Sequence, residues 1–372
     1  MATPVQSLAQ VADVVDARVQ AAASDHPPLI VRDALEAFLD AHGLGSGPIA
    51  VERIGEGHSN INFLVRRGTE RMVLRRPPRP PFARSAHDVL REARVLTALE
   101  HTAVRSPAVL ATCDDRSVLG VPFYLMGHIE GHTLGASLPD ALDSPDERQR
   151  VGLELVDALA ELHAVAWPSL GLERFGRPSG YLERQLRRFG ELWRHNRTRE
   201  VPGMDALIDW LGAHLPESPP ATLVHGDYRL GNVMFAPSAP ARLAAVLDWE
   251  MATIGDPLAD LGYLCATYAQ PDDPPNPMCD LCSVTREGGF PTREALVAHY
   301  EERTGRALGD LRWYRALALW KAAVFLEGSY GRFLAGTTDD PFFRDLGEGV
   351  PQLVDAASRL TGESGINRRE RG

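Results

Sequence analysis

Residues 225–232 read His-Gly-Asp-Tyr-Arg-Leu-Gly-Asn. His225, Asp227 and Asn232 therefore fall in an H-x-D-x-x-x-x-N spacing, and Asp248 follows 16 residues after Asn232. The flanks are apolar, with Leu223 and Val224 before the run and Val233, Met234 and Phe235 after it. A core strand would not bury so many polar groups without partners, and a plain surface loop needs no apolar anchors. Polar side chains held at the rim of a core by rigid flanks suit a reactive loop. Phosphoryl transfer needs one carboxylate to orient a hydroxyl and take its proton. It also needs an amide oxygen and a second carboxylate to hold a divalent cation against phosphate oxygens. Asp227, Asn232 and Asp248 supply those groups in that order, and His225 is expected to shape the loop by hydrogen bonding within it.

A second cluster lies upstream, where Gly55, Gly57, Ser59 and Asn60 interrupt two β-like runs. A glycine-rich turn lets backbone N–H groups approach phosphates, although hairpin turns contain glycine for geometric reasons alone. Its weight comes from the order: glycine turn, then helix, then polar loop.

The elements that must position these residues are legible as patterns. Residues 1–28 suggest an N-terminal helix, and 31–45 a helix closed by Gly43. IAVERIG, NINFLVRR and ERMVLRR form an antiparallel meander over 49–76, ended by the proline-rich 75–82. Residues 85–100 predict a helix with Val89, Ala93, Leu96 and Leu99 on one face. Two more strands around Gly120, within 117–131, complete a small lobe of five strands. Beyond it the chain is mostly helical, over 145–166, 181–197, 203–215, 292–304, 309–336 and 346–361, with a strand, loop and helix over 241–264. Residues 271–290 lack periodicity and are expected to be an exposed loop, and the tail 365–372 is expected to fray. Asp256 before Pro257 has the form of a helix N-cap with proline at the first helical position; bracing of the polar loop is the alternative role. Asp260, four residues on, can reach the same loop. His163, on an otherwise apolar helix face, reads as a buried packing residue.

Composition bounds the function. The chain has 372 residues and 44% hydrophobic content, enough for two lobes with ample core. A net charge of −11 argues against nucleic acid as the main partner. No apolar run is long enough to span a membrane, and the first residues lack the continuous apolar stretch of a signal peptide, so a cytoplasmic protein is expected. Lys321 is the only lysine among 39 basic residues. Cys279-x-x-Cys282 has no second ligand pair for zinc and reads as two loop cysteines.

The pieces GEGHSNINFLV, MVLRRPP, SAHDVLREARVLTALE, FYLMGHIEG, LVHGDYRLGNVMF, LDWEMATIGDPLADLGYL and GFPTREALVAHYEERTG run in order across most of residues 30–335. They resemble the aminoglycoside phosphotransferase family, a branch of the protein-kinase-like fold. Within it the chain is similar to the kinase-like domains associated with acyl-CoA dehydrogenases. The resemblance implies an α+β, two-lobed fold with a small antiparallel β lobe and a larger, mainly helical lobe. The expected divisions are an N-terminal helical extension (1–29), a nucleotide-binding N-lobe (30–128) and a catalytic, substrate-binding C-lobe (129–372). It implies ATP and Mg²⁺ as cofactors, Asp227 as catalytic base, and Asn232 and Asp248 as magnesium ligands. Met126 and His128 would flank the hinge that meets adenine. Glu92 resembles the helix glutamate that pairs with a phosphate-binding cation. Kinases usually place lysine there, but no lysine precedes Lys321, and Arg75 takes the position. Guanidinium stays charged when buried and binds phosphate or carboxylate through a planar fork.

The acceptor is less defined. Arg184 and Arg188 share a helix face and could receive a carboxylate or the phosphates of coenzyme A, or form a solvated face. The resemblance implies a hydroxy acid or hydroxyacyl-CoA as small-molecule substrate, and a functional link to an acyl-CoA dehydrogenase. An aminoglycoside, choline or sugar kinase, and a nucleotide-binding pseudokinase, are the alternatives. If Arg75 meets phosphate, Arg75→Ala is expected to remove most turnover with a smaller loss of folding stability. Retained turnover in a steady-state assay would move the role to Arg76 or remove it.

Overall fold

The computed structural model describes residues 13–18, 27–55, 60–79, 87–337 and 340–362. The chain divides into two compact units: residues 1–100 with 107–129, and residues 101–106 with 130–372.

The first unit is built on a five-stranded antiparallel sheet. Its strands are β1 (Ile49–Ile54), β2 (Ile61–Arg67), β3 (Glu70–Arg76), β4 (Val109–Cys113) and β5 (Phe123–Gly127), in the order β1-β2-β3-β5-β4. Apolar alternation sets its faces. Phe63, Val65, Leu74, Phe123 and Leu125 pack with Leu35 and Leu39 of α1 (Arg32–Ala41) in one buried cluster. Helix α2 (Val89–Leu99) begins where the Asp88 side chain accepts the Arg91 N–H at 3.0 Å. It buries Val89, Ala93, Leu96 and Leu99, together with Glu92.

Three local expectations are corrected here. Residues 117–119 are not a strand. Asp115 accepts the Ser117 N–H at 2.8 Å, a helical turn follows over Arg116–Leu119, and Gly120 closes it at φ 79°. The fifth strand is instead β4, whose short run carries no turn signal. An N-terminal helix through residue 28 also fails at Val14–Val15, which pairs in parallel with Ile30–Val31; β-branched residues favour that extended state. The rest of that segment, except 13–18 and 27–28, lies outside the described residues, as does the tail 365–372. The third correction concerns 271–290, in the second unit.

That second unit is mainly helical: α3 (Pro145–His163), α4 (Tyr181–Asn196), α5 (Met204–Ala213), α6 (Pro257–Thr267), α7 (Arg293–Thr304), α8 (Arg312–Leu334) and α9 (Pro341–Leu360). Short strands hold the polar loop. In one antiparallel group β8 (Val233–Phe235) lies between β6 (His132–Thr133) and β9 (Leu243–Val246); in the other β7 (Thr222–Val224) pairs with β10 (Thr253–Gly255). The segment expected to be exposed is folded inward, with Met278, Cys279, Cys282 and Val284 buried. Asn276 accepts the N–H groups of Met278 and Cys279 at 3.0 and 3.2 Å, so a side-chain cap replaces the missing periodicity. Cys279 and Cys282 are free thiols. Among the described residues no helix is long and apolar enough to cross a membrane.

Helix α6 lies close against α8 at Gly262. A Cβ there would fall 2.5 Å from Tyr314 Cβ and 2.8 Å from its backbone carbon. Alanine normally stabilises a helix by about 1 kcal/mol over glycine. Gly262→Ala is expected to destabilise instead, by roughly 1–3 kcal/mol, because α6 and α8 must part. Urea unfolding would read this as a lower midpoint at unchanged slope.

Candidate active site

The loop after β7 is fixed from behind by Asp260 of α6. Its carboxylate accepts the N–H of His225 at 2.6 Å and that of Gly226 at 2.8 Å. His163 of α3 adds a third contact, Nε2 to Asp260 Oδ2 at 3.3 Å, and its Nδ1 lies 2.7 Å from the Tyr300 hydroxyl of α7. Burial alone would raise the pKa of Asp260; the His163 contact, His225 and the loop N–H outweigh it and hold the carboxyl below its ordinary range. His163 is thus buried, as expected, but it orients a carboxylate as well as packing. Gly226 sits at φ 86°, and a Cβ there would lie 2.7 Å from the Met251 carbonyl oxygen, so only glycine fits the turn.

His225 works inside the loop. Its Nε2 donates to the Leu247 carbonyl at 2.8 Å, and its Nδ1 accepts the Asp227 N–H at 3.3 Å. Those two bonds fix the Nε2–H tautomer. Asp256 caps α6, accepting the Leu258 N–H at 2.9 Å, and also accepts the Tyr314 hydroxyl at 2.9 Å. Of the two roles open for Asp256, the hydrogen bonds match the cap; contact with the loop belongs to Asp260.

Asp227 and Asn232 meet on this scaffold, and the backbone just before Asp248 is bonded to the same loop. The Asn232 amide nitrogen donates to the Asp227 carbonyl at 2.9 Å and to its Oδ2 at 2.7 Å. That orientation leaves the Asn232 oxygen as the acceptor. Asp227 Oδ1 is buried without a hydrogen-bond partner, and Arg229 Nε stands 3.6 Å from it. Tyr263 of α6 also faces Asp227: burial, then the nearby carboxylate, hold its phenol well above its usual range. Asp248 is half-buried in the left-handed region at φ 62°, a conformation that costs roughly 1–2 kcal/mol outside glycine. Its predecessor ties it to the loop, because Leu247 N–H donates to the Asn232 carbonyl at 2.8 Å. An amide oxygen and a carboxylate form the hard oxygen donor set that suits Mg²⁺, which takes one or two protein ligands and fills the rest with water and phosphate. The residues therefore fit the ion that the sequence implies.

In the first unit, Arg75 Nε donates to Glu92 Oε2 at 2.7 Å, with both residues buried. Removing one partner of such a pair costs about 3–5 kcal/mol, so the stability loss in Arg75→Ala is larger than the sequence suggests. Arg76 points elsewhere, donating to the carbonyls of Pro77, Leu29 and Leu119. Burial and then Arg79 push its pKa down to about 10. Gly55 ends β1 at φ 73°. Asn60 is buried with its side chain 3.2 Å from His87. Gly57 and Ser59 lie outside the described residues. Met126 pairs with Val73 and Val109 in the sheet, and His128 N–H donates to the Arg71 carbonyl at 3.4 Å.

The two helix arginines separate. Arg184 donates to the carbonyls of Ser179 and Arg177, bracing the loop before its own helix. Arg188 is exposed. Tyr263 and Lys321 entered no sequence-based role. The signal for Tyr263 was its place one turn past Asp260; for Lys321 it was being the single lysine.

Asp260→Asn puts an amide N–H against N–H donors. It is expected to lower stability by roughly 2–4 kcal/mol and turnover more than about tenfold. The sign with pH follows from the lowered pKa: the carboxylate's contribution is complete above the ordinary value of 3.8 and is lost as pH falls through the folded value. Urea titrations at descending pH should show the wild type and the variant converging in acid.

The sequence profile of the phosphotransferase enzyme family matches residues 50–317. Rat acyl-CoA dehydrogenase family member 11 is 35% identical, over 89% of this chain and 45% of that protein. The chain thus spans less than half the length of the curated relatives it matches. A solved structure from Ralstonia eutropha, named for the aminoglycoside phosphotransferases, is 32% identical with a TM-score of 0.76, covering 89% of this chain and 98% of that one. A thermostable mutant of aminoglycoside phosphotransferase APH(4)-Ia, solved with AMP-PNP and hygromycin B, is 19% identical with a TM-score of 0.58, covering 90% and 99%. The fold is the α+β, kinase-like one of these proteins, and the chain belongs to the phosphotransferase enzyme family.

Proposed function

We propose that this chain is an ATP- and Mg²⁺-dependent kinase of a small-molecule hydroxyl, with a hydroxy acid or hydroxyacyl-CoA as acceptor. The observation that carries the reading is Asp227 Oδ1, a buried carboxylate oxygen with no hydrogen-bond partner, beside an Oδ2 held by Asn232. An acceptor hydroxyl donates to Oδ1. As its oxygen bonds to the γ-phosphorus of ATP, the bond to the β-phosphate oxygen breaks, ADP leaves, and the hydroxyl proton passes to Asp227. Asn232 keeps the carboxylate aimed, and the Asp260 contacts keep the loop from yielding. The Asn232 oxygen and Asp248 would hold magnesium, which would supply charge neutralisation at the phosphates. In the first unit, Arg75 braced by Glu92 takes the phosphate-contact role, and Met126 and His128 take the hinge.

The acceptor class draws on the relatives named as acyl-CoA dehydrogenase family members. A phosphate ester is a far better leaving group than hydroxide. Phosphorylating a hydroxyacyl chain therefore prepares it for elimination of phosphate by a partner enzyme. The fold neighbours named for aminoglycosides keep a polycationic acceptor as the competing reading.

The test is Mg²⁺-dependent ADP release from ATP. The panel holds hydroxyacyl-CoAs, free hydroxy acids, aminoglycosides, choline and sugars, with Asp227→Ala as control and nucleotide binding measured in parallel. Turnover with the first two classes that falls at least about 10³-fold in the control is the expected result. Turnover confined to polycations overturns the acceptor, and absence of nucleotide binding overturns the kinase.

A further inference from the structure

Arg229 stands two residues past Asp227 on the same loop, half-buried, with Nε 3.6 Å from Asp227 Oδ1. Among the described residues that is its only ion pair, and its guanidinium makes no hydrogen bond. Two other arginines of the second unit fill their forks with carboxylates: Arg105 with Glu154 and Glu161, and Arg293 with Asp273. The place where the Arg229 guanidinium rests is kept open by Gly231. A Cβ there would collide with Arg229 Nη1 and lie 3.3 Å from its Cζ. Gly231 is not in the left-handed region, so its missing side chain answers the guanidinium and not the turn. A planar cation thus lies against the loop, next to the proposed base, with its N–H donors unfilled.

We propose that Arg229 is a further catalytic residue, whose guanidinium donates to the phosphoryl group while it is being transferred. The inference rests on the kinase reading for Asp227 and adds a residue to it. An acceptor oxygen hydrogen-bonded to Oδ1 lies about 2.7 Å from it, and it approaches phosphorus from about 3–3.5 Å. The phosphoryl oxygens therefore pass within reach of a cation that stands 3.6 Å from the same Oδ1. Negative charge is spread over those oxygens in the transition state, and a planar fork can meet two of them at once. The acceptor O–P bond forms, the bond to the β-phosphate oxygen breaks and the hydroxyl proton passes to Asp227, while Arg229 keeps its own protons throughout. A cation beside a carboxylate opposes its protonation. As the guanidinium turns from Asp227 to the phosphoryl oxygens, that opposition falls at the moment the base takes its proton.

The first readout is calorimetric binding of Mg·ADP with and without aluminium fluoride, a mimic of the phosphoryl group in transfer. In wild type, aluminium fluoride is expected to tighten ADP binding. Arg229→Ala should bind Mg·ADP alone as wild type does and lose at least about tenfold of the tightening. In steady state, with whichever acceptor of the panel turns over, its kcat should fall at least about 10²-fold with KM for ATP little changed. Added guanidinium ion should restore part of that kcat, and Arg229→Lys, which keeps the charge without the fork, should fall between the two. Gly231→Ala displaces the guanidinium without removing it, so it should lower kcat in the wild type and add nothing to Arg229→Ala. Tightening retained in Arg229→Ala, or an equal Gly231→Ala loss in both backgrounds, overturns the contact and reduces Arg229 to a neighbour that neutralises Asp227. A wild type that binds Mg·ADP without any tightening overturns this inference alone. A wild type that binds no Mg·ADP sinks the kinase reading and takes the inference with it.

Discussion

Asp260 carries the candidate site. Its carboxylate lies at the meeting of three elements and accepts two consecutive loop N–H groups, a geometry that a neutral side chain cannot reproduce. The elements behind it are themselves constrained. Asp256 and Pro257 start α6 at a defined residue, Gly262 lets α6 lie against Tyr314, and the Tyr300–His163 pair fixes Asp260 from the far side. A shift in any of these moves the loop backbone directly, because Asp260 holds main-chain atoms. That is why the functional side chains can sit on a loop and still be aimed: the loop's first turn is bonded to a helix, and its last residue is bonded to Leu247 beside Asp248.

Within the loop Asp227 and Arg229 stand 3.6 Å apart as an ion pair, without a hydrogen bond on Oδ1. Asp227 shares its Oδ2 with the Asn232 amide, while Arg229 stands too far from Oδ1 for a hydrogen bond. A buried carboxylate oxygen without a hydrogen bond and a left-handed aspartate both work against folding. Such features persist where function needs them, and the surrounding core compensates. Tyr228, Trp249 and Phe235, all fully buried around the loop, supply that core.

How much was legible follows from where the information resides. The H-x-D-x-x-x-x-N run and Asp248 are local patterns, and the structure brings them together. The three-strand meander and most long helices are also local, since periodicity and caps specify them. The strand Val109–Cys113 was missed because five residues without turn residues give no periodic signal, and its pairing with Phe123–Gly127 is a tertiary fact. Segment 271–290 was misread because prolines mask a fold made by one capping asparagine and buried thiols. Arg184 and Arg188 looked equivalent on a helix face, but the turn at Gly180 gives Arg184 carbonyl partners that spacing cannot foresee.

The two unusual cations answer different physical demands. Arg75 is buried against Glu92, where a guanidinium keeps its charge. Lys321 shows the opposite case. Burial lowers its amine to about 8 against the pull of Asp260 and Asp227, so its charge changes with pH where a guanidinium's does not.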